Sequence, residues 1–433
     1  MIVFWTVLYA IYFVAPINQT PSISAAGTVF IASHILVFCI GSVLGSGGIG
    51  ADIAAQGPAT SPEAPIYRTP RAINVFFLIG IFGALLSILD KVLSLDFFSL
   101  LGSAELRAER AQQLLDAVQL SSSGWSAVGF LTYPAGFVAI TLTIVLYESL
   151  PRGSRVLLPI YVGLIFLLSF STGGRSTIFV TMLFFALAFY VRRCRGLSYF
   201  PRSRMIQLFI WSLLIGFVGY STLIWQARNE LSGQNIDEFL TRIDVNWGVT
   251  LSDSLGSSML VLDQPGLIQN VISSVFYFTQ SVSIVERILE MSELPTLFGA
   301  YHIDLVAAAV RVFFDNPDFL VDGYAALLAS NVYGFFTGAW GALYIDFGFM
   351  GSYVATLVWG SLAGVAHKNA RQNIYSDGFT QYVFWMYSIL ISFVSPPFGF
   401  SNSALTFIWF VLYRFFVGPP QKNYGLAACP GPG

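Results

Sequence analysis

The residues suited to chemistry in this chain are few, because only 10% of it is charged. Tyr301-His302-Ile303-Asp304 leads into the apolar run Leu305-Val306-Ala307-Ala308-Ala309-Val310, and Arg311 follows seven residues after Asp304. On a helix that separation is about two turns, so carboxylate and guanidinium share a face, with Asp304 also placed to cap the helix. His302 can take a proton from a hydroxyl near neutral pH, and Asp304 can orient it or do that work itself. Plain capping and a local hydrogen bond account for the same residues. Asp346 is an isolated carboxylate in the aromatic, small-residue run Tyr344-Ile345-Asp346-Phe347-Gly348. An unpaired charge among apolar groups is costly, so it must face the protein interior, cap a helix beginning near Gly348, or meet an arginine. Asn331 and Tyr333, in Asn331-Val332-Tyr333-Gly334, offer hydrogen bonds to ligand hydroxyls.

Three arginines suit an anion. Arg175 closes Ser171-Thr172-Gly173-Gly174-Arg175, a turn between two long apolar runs. The glycines let backbone and ligand approach closely, and the turn gathers amides and a guanidinium at the head of the next helix. A guanidinium there can bind a pyrophosphate bidentately. Snorkelling to lipid phosphate is the competing use. Arg228 follows Trp225-Gln226-Ala227 near the same plane, so a two-arginine clamp is geometrically feasible beside the alternative of interfacial anchoring. Arg242, among Asp237, Glu238 and Asp244, is either a third phosphate contact or part of a loop ion pair. The three cysteines, at 39, 194 and 429, have no ligand spacing, so neither a metal site nor a disulfide framework is expected. No cofactor motif is visible.

These residues must be held by a membrane-spanning bundle. The chain is 55% hydrophobic and 16% aromatic, with 40 Phe, richer than a soluble core of this size needs. A formal net charge of -2 leaves no basic footprint for nucleic acid. Apolar segments able to cross a bilayer appear at roughly 1–17, 28–47, 72–93, 128–147, 156–171, 176–192, 206–225, 350–366, 380–396 and 402–418. Arg192, Arg193, Arg195, Arg202 and Arg204 crowd one short loop, and because Lys and Arg resist translocation that loop is expected in the cytoplasm. Ten crossings that start inside also place Arg68, Arg71, Arg152, Arg155, Lys368 and Arg371 there, with both termini. The run from Val3 to Val14 has no basic flank or cleavage pattern and reads as a retained first helix. Residues 101–120 read as an amphipathic helix on the outer interface.

Between 226 and 349 the apolar runs, Leu267 to Val285 and Leu305 to Phe314, are interrupted by polar or small residues. They are half-helices dipping from outside or a further pair of crossings. Broken backbone at membrane depth is tolerated only against protein or a wet cavity, so the site is expected in a cavity on the outer side. The fold class is thus an all-α polytopic membrane protein of about 10–12 transmembrane helices. Its parts are an N-terminal bundle over 1–225, a large outer loop region over 226–349, and C-terminal helices with a tail over 350–433.

Ser171-Thr172-Gly173-Gly174-Arg175, the Asn331-Val332-Tyr333 stretch leading to Tyr344-Ile345-Asp346-Phe347-Gly348 and Gly351, and the large outer loop together resemble the Wzy-type O-antigen, or oligosaccharide repeat-unit, polymerases. The resemblance covers most of the chain in architecture and only these short stretches in residues. It implies a bacterial inner-membrane enzyme similar in fold to the C-type glycosyltransferases and O-antigen ligases, part of lipopolysaccharide biosynthesis. Its substrates would be undecaprenyl-pyrophosphate-linked oligosaccharides, joined at the periplasmic face without metal, and a Wzz-type chain-length regulator would be a partner beside membrane lipids. Arg175, Arg228 and Arg311 are the matching candidates for the outer-loop arginines such enzymes require. The family's spaced Arg-to-Gly arrangement in two outer loops has no clear counterpart here. An O-antigen ligase shares donor and face, and a transporter for polysaccharide or lipid-linked sugar would also use outer arginines.

Overall fold

The computed structural model describes residues 1–47, 69–94, 124–172, 174–232, 236–252, 267–291, 294, 296–314, 317–332, 336–372, 379–400 and 402–417. The apolar runs form helices because long unbroken stretches satisfy their own backbone, the only economical state in hydrocarbon. The helices are α1 (Ile2–Val14), α2 (Ala25–Ser46), α3 (Thr69–Ser94), α4 (Gly124–Thr132), α5 (Ala135–Val145), α6 (Arg152–Thr172), α7 (Ser176–Cys194) and α8 (Arg204–Ser232). They continue with α9 (Ile236–Trp247), α10 (Leu267–Glu290), α11 (Asp304–Phe314), α12 (Asp318–Ala329), α13 (Gly338–Gln372), α14 (Phe379–Leu390) and α15 (Ser403–Val417). Among the described residues seven segments are long and apolar enough to cross a bilayer, with α1 and α15 as shorter apolar helices. The chain is a mostly helical, multi-pass membrane protein. The expected amphipathic helix over 101–120 lies outside the described residues.

Three departures from the hydropathy reading have local causes. The run at 128–147 is two helices, because Pro134 cannot donate to the ladder, and the Tyr161 hydroxyl donates to the carbonyl of Tyr133 at 2.8 Å. The run at 380–396 stops being helical at Leu390, ahead of Ser395-Pro396-Pro397, and 391–397 is buried irregular backbone. The run at 350–366 belongs to α13, which begins at Gly338 and bends at Gly348, whose φ of 67° only glycine adopts without strain. The bend folds the helix on itself, since the Trp340 ring lies 5.7 Å from that of Trp359. The short arm, 338–347, is therefore a half-helix that starts inside the bundle, one of the alternatives open for the outer segment. At 11 and 12 residues, α11 and α12 are about 17–18 Å long, well short of a ~30 Å hydrocarbon core.

Every residue of α5 is buried, and its Phe137 stacks on Phe184 of α7, which stacks in turn on Tyr387 of α14 and Phe410 of α15. Beside this core, α2 and the long arm of α13 run parallel, with two glycines of each helix set against the backbone of the other. A Cβ on Gly45 would lie 2.8 Å from the carbonyl carbon of Ser361, and one on Gly364 would lie 2.9 Å from that of Ser42. Gly41 and Gly360 are as tightly placed against Ser361 and Phe38. His34 of α2 bonds Phe30 O and the Ser352 hydroxyl, so both ring nitrogens of this buried histidine have partners.

One end of the bundle is marked by a small antiparallel ribbon the sequence reading did not foresee, β1 (Ile17–Gln19) with β2 (Val249–Leu251). Three-residue strands carry too little pattern to be read. The amphipathic α9 and the first half of α10 cover it, with Trp247 stacked on Phe276 at 5.0 Å. The other end carries the basic cluster. There Arg192 is wholly buried, pairs with both oxygens of Glu148 at 2.6 and 2.8 Å, and donates to Ile144 O and Ser198 O. Burial alone would raise the Glu148 pKa, but the hydrogen bonds and charge of Arg192, together with backbone donors, outweigh it and hold the group below its ordinary 4.5. This contribution is present above 4.5 and is lost as pH falls through the depressed value. Arg192→Met is expected to cost roughly 2–4 kcal/mol, since it strands several acceptors, while Arg193→Met, at an exposed position, changes stability by less than about 0.5 kcal/mol. Thermal unfolding of the two purified variants checks the contrast, and equal effects would refute the clamp.

Candidate functional site

Asp346 occupies the last turn of the half-helix, the end where the helix dipole disfavours a carboxylate, and it is fully buried. Its compensation comes from the loop at 297–303, which wraps around it. Oδ1 accepts from the amides of Gly299 and Tyr301, each at 2.9 Å, and Oδ2 from the amide of His302 at 3.2 Å and from its ring Nδ1. The Phe298 amide adds a bond to Asp346 O at 2.8 Å. The wrap requires positive φ at Phe298 and Gly299, 51° and 90°, the second a glycine and the first held by these bonds. The Tyr324 hydroxyl from α12 ties Ala300 O at 3.0 Å.

The carboxylate fixes the histidine tautomer. With Nδ1–H donating to Asp346, Nε2 carries the lone pair, and among the described residues it has no hydrogen-bond partner. His302 is 7% exposed, against Phe347 on one side and Gly399 of the irregular 391–400 segment on the other. A Cβ on Gly399 would fall 2.7 Å from His302 O and 3.2 Å from His302 Cβ, so glycine there is what lets the two segments meet.

The Arg175 turn reaches the same segment from another side. Arg175 is the half-buried amino-cap residue of α7, and one turn on, the Phe179 ring lies 6.5 Å from Phe400, the neighbour of Gly399. Tyr220 of α8 braces the turn by donating to Ser169 O at 2.8 Å and Gly174 O at 3.1 Å. His302, Asp346 and the Arg175 turn thus converge on residues 391–400. The carboxylate on His302 is Asp346, 44 residues away in sequence, where the local reading had Asp304 two residues away. Asp304 is the first residue of α11, Arg311 lies on α11, Arg228 in the last part of α8 and Arg242 on α9, but the side chains of all four, and Tyr333 altogether, fall outside the described residues. Asn331 has φ 52° just past α12 and gives its carbonyl to Arg287 at 3.1 Å, so its backbone has a structural use in ending that helix.

Sequence reading placed the apolar run of α10 but passed over its charged pair, Glu286 and Arg287. Its Arg287 gathers three carbonyls from separate segments, Thr20, Trp247 and Asn331, and Glu286 caps α2 through the amide and hydroxyl of Ser24. Adjacent charges in a helix whose Thr279, Gln280, Ser281 and Ser283 are all buried were the available signal.

The arrangement sets a carboxylate-oriented imidazole and an arginine-bearing helix amino end near the same irregular segment. The chain matches no family model, no curated protein and no solved structure.

Proposed function

We propose that the protein is a metal-independent glycosyltransferase that polymerises lipid-linked oligosaccharide repeat units, the reading its Wzy-type resemblance implies. The observation that carries it is the His302–Asp346 pair buried at the end of the bundle opposite Arg192 and Glu148. An imidazole with its Nδ1 proton held by a carboxylate can take the proton of an acceptor sugar hydroxyl as that oxygen attacks the anomeric carbon of the donor. The bond to the carrier pyrophosphate breaks, and the developing charge falls to the Arg175 turn, where a guanidinium and helix amides stabilise it. Arg228, Arg242 and Arg311 are further candidates for that anion. The proposed setting is the bacterial inner membrane, with both termini and the Arg192 loop in the cytoplasm and the site facing the periplasm. A transporter of lipid-linked sugar is the second reading, favoured by the half-helix of α13.

The purified protein given a defined undecaprenyl-pyrophosphate repeat unit is expected to yield a ladder of chain lengths. Arg175→Ala is expected to lower the rate about 10²–10³-fold while remaining folded. Unchanged substrate with several authentic units would sink the polymerase reading, and substrate moved across vesicles without change would establish the transporter.

A further inference from the structure

We infer that the amino end of the α13 half-helix is a binding site for a diphosphate, formed with Ser281 of α10. This deepens the proposed function, resting on it for the identity of the physiological ligand. The half-helix begins at Gly338 inside the bundle, so its orphaned first-turn amides and positive dipole end are turned away from bulk water. One of those amides, Ala339, is met by Ser392 O at 2.7 Å, and just before the helix Phe336 N donates to the Gln280 side chain at 3.2 Å.

Ser281 supplies an independent mark. It is 1% exposed, and its Oγ has no hydrogen-bond partner among the described residues. That oxygen lies 3.3 Å from where a Cβ on Gly338 would stand, so the hydroxyl is directed at the helix start. A buried hydroxyl without a partner is destabilising unless something absent from the polypeptide completes it. An anion does so while also meeting the amide ends. Gly338 has φ 66° and a Cβ there would fall 2.8 Å from Ser281 Cβ, so the close approach depends on glycine.

The position adjoins the Arg175 turn, to which the proposed function assigns the leaving diphosphate. Phe336, two residues before the half-helix, packs its ring 6.4 Å from Phe400, the same ring that Phe179 of α7 approaches at 6.5 Å. The helix amino ends at Arg175 and Gly338 thus each have an aromatic neighbour packed near the Phe400 ring.

The test is titration of the purified full-length protein in detergent with inorganic pyrophosphate, read by calorimetry, with Ser281→Ala and Arg175→Ala beside it. Ser281→Ala is expected to weaken binding about tenfold, the effect of one hydrogen bond to a charged ligand, and to keep or raise the melting temperature of the ligand-free protein, because the hydroxyl it removes is buried without a protein partner among the described residues. Orthophosphate is expected to bind more weakly than pyrophosphate. No binding at millimolar pyrophosphate, or binding lost in Arg175→Ala yet untouched in Ser281→Ala, would overturn the site while leaving the polymerase reading standing. Tighter, Ser281-dependent binding of short-chain phosphatidic acid would overturn the diphosphate assignment in favour of a lipid headgroup. Ser281-dependent pyrophosphate binding in a protein that makes no ladder would retain the site and remove the polymerase reading.

Discussion

Gly45→Leu and Gly364→Leu are each expected to abolish recovery of a monodisperse protein, whereas Gly163→Leu and Gly219→Leu are expected to purify like the parent. All four are glycines in apolar helices, so propensity and hydropathy change alike. The difference is what stands opposite. Nothing lies within 4 Å of a Cβ at Gly163 or Gly219, while at Gly45 and Gly364 the obstacle is the backbone of the partner helix. A side chain can rotate away, but a backbone can yield only if the helices separate. In lipid no hydrophobic force holds helices together, and close packing of small residues is the main attraction. Overpacking a rigid contact costs roughly 1–3 kcal/mol at a single site. Here separation also breaks the buried bond between His34 and Ser352, the Ser33–Tyr353 hydroxyl pair at 2.6 Å and the packing of Phe38 on Trp359. Size-exclusion profiles and thermal unfolding of the four variants check this, and a well-behaved Gly45→Leu protein would show that the α2–α13 contact is not what holds the bundle.

That pair also bears on the site. The long arm of α13 is anchored along α2, and the short arm doubles back at Gly348 to carry Asp346. The carboxylate is therefore placed by a contact made well down the membrane span, and a separation of α2 from α13 would move Asp346 relative to the loop at 297–303.

The long apolar helices were legible in the sequence because each must satisfy its own backbone, and the run of one residue type after another states that need. What was not legible has the same physical character throughout. Facing the interior was one of three uses open to Asp346, beside capping a helix and meeting an arginine, and its partners are three amides and an imidazole from a loop 44 or more residues earlier that no local pattern announces. His302 was singled out by its type and paired with the nearby Asp304, whose side chain lies outside the described residues, whereas its Nδ1 meets Asp346. Pro134 broke a run that hydropathy averaged over, and Pro396-Pro397 ended one early. The polar face of α10 kept it below the hydropathy of a span although it is long enough to be one, and only packing reveals that this face is turned inward.

His302→Ala is expected to lower polymerisation about 10²–10⁴-fold, the range general-base catalysis supplies, with little loss of folded protein. The reason for retention is that Asp346 keeps its three backbone donors when the imidazole is removed. Asp346→Asn should behave differently. An amide group has one acceptor oxygen and one donor nitrogen, so whichever way it turns, its N–H groups confront amides that already donate. Each buried donor left unmet costs roughly 1–3 kcal/mol, so Asp346→Asn is expected to lose activity and melt several degrees lower together. The pair of results separates chemistry from architecture: an imidazole that only filled space would give a His302→Ala protein with near-parental turnover, and that outcome would remove His302 from the reaction. If instead Asp346→Asn folded and turned over normally, the loop at 297–303 would have to find its donors' partners elsewhere, and the buried carboxylate would be neither the loop's organiser nor the imidazole's.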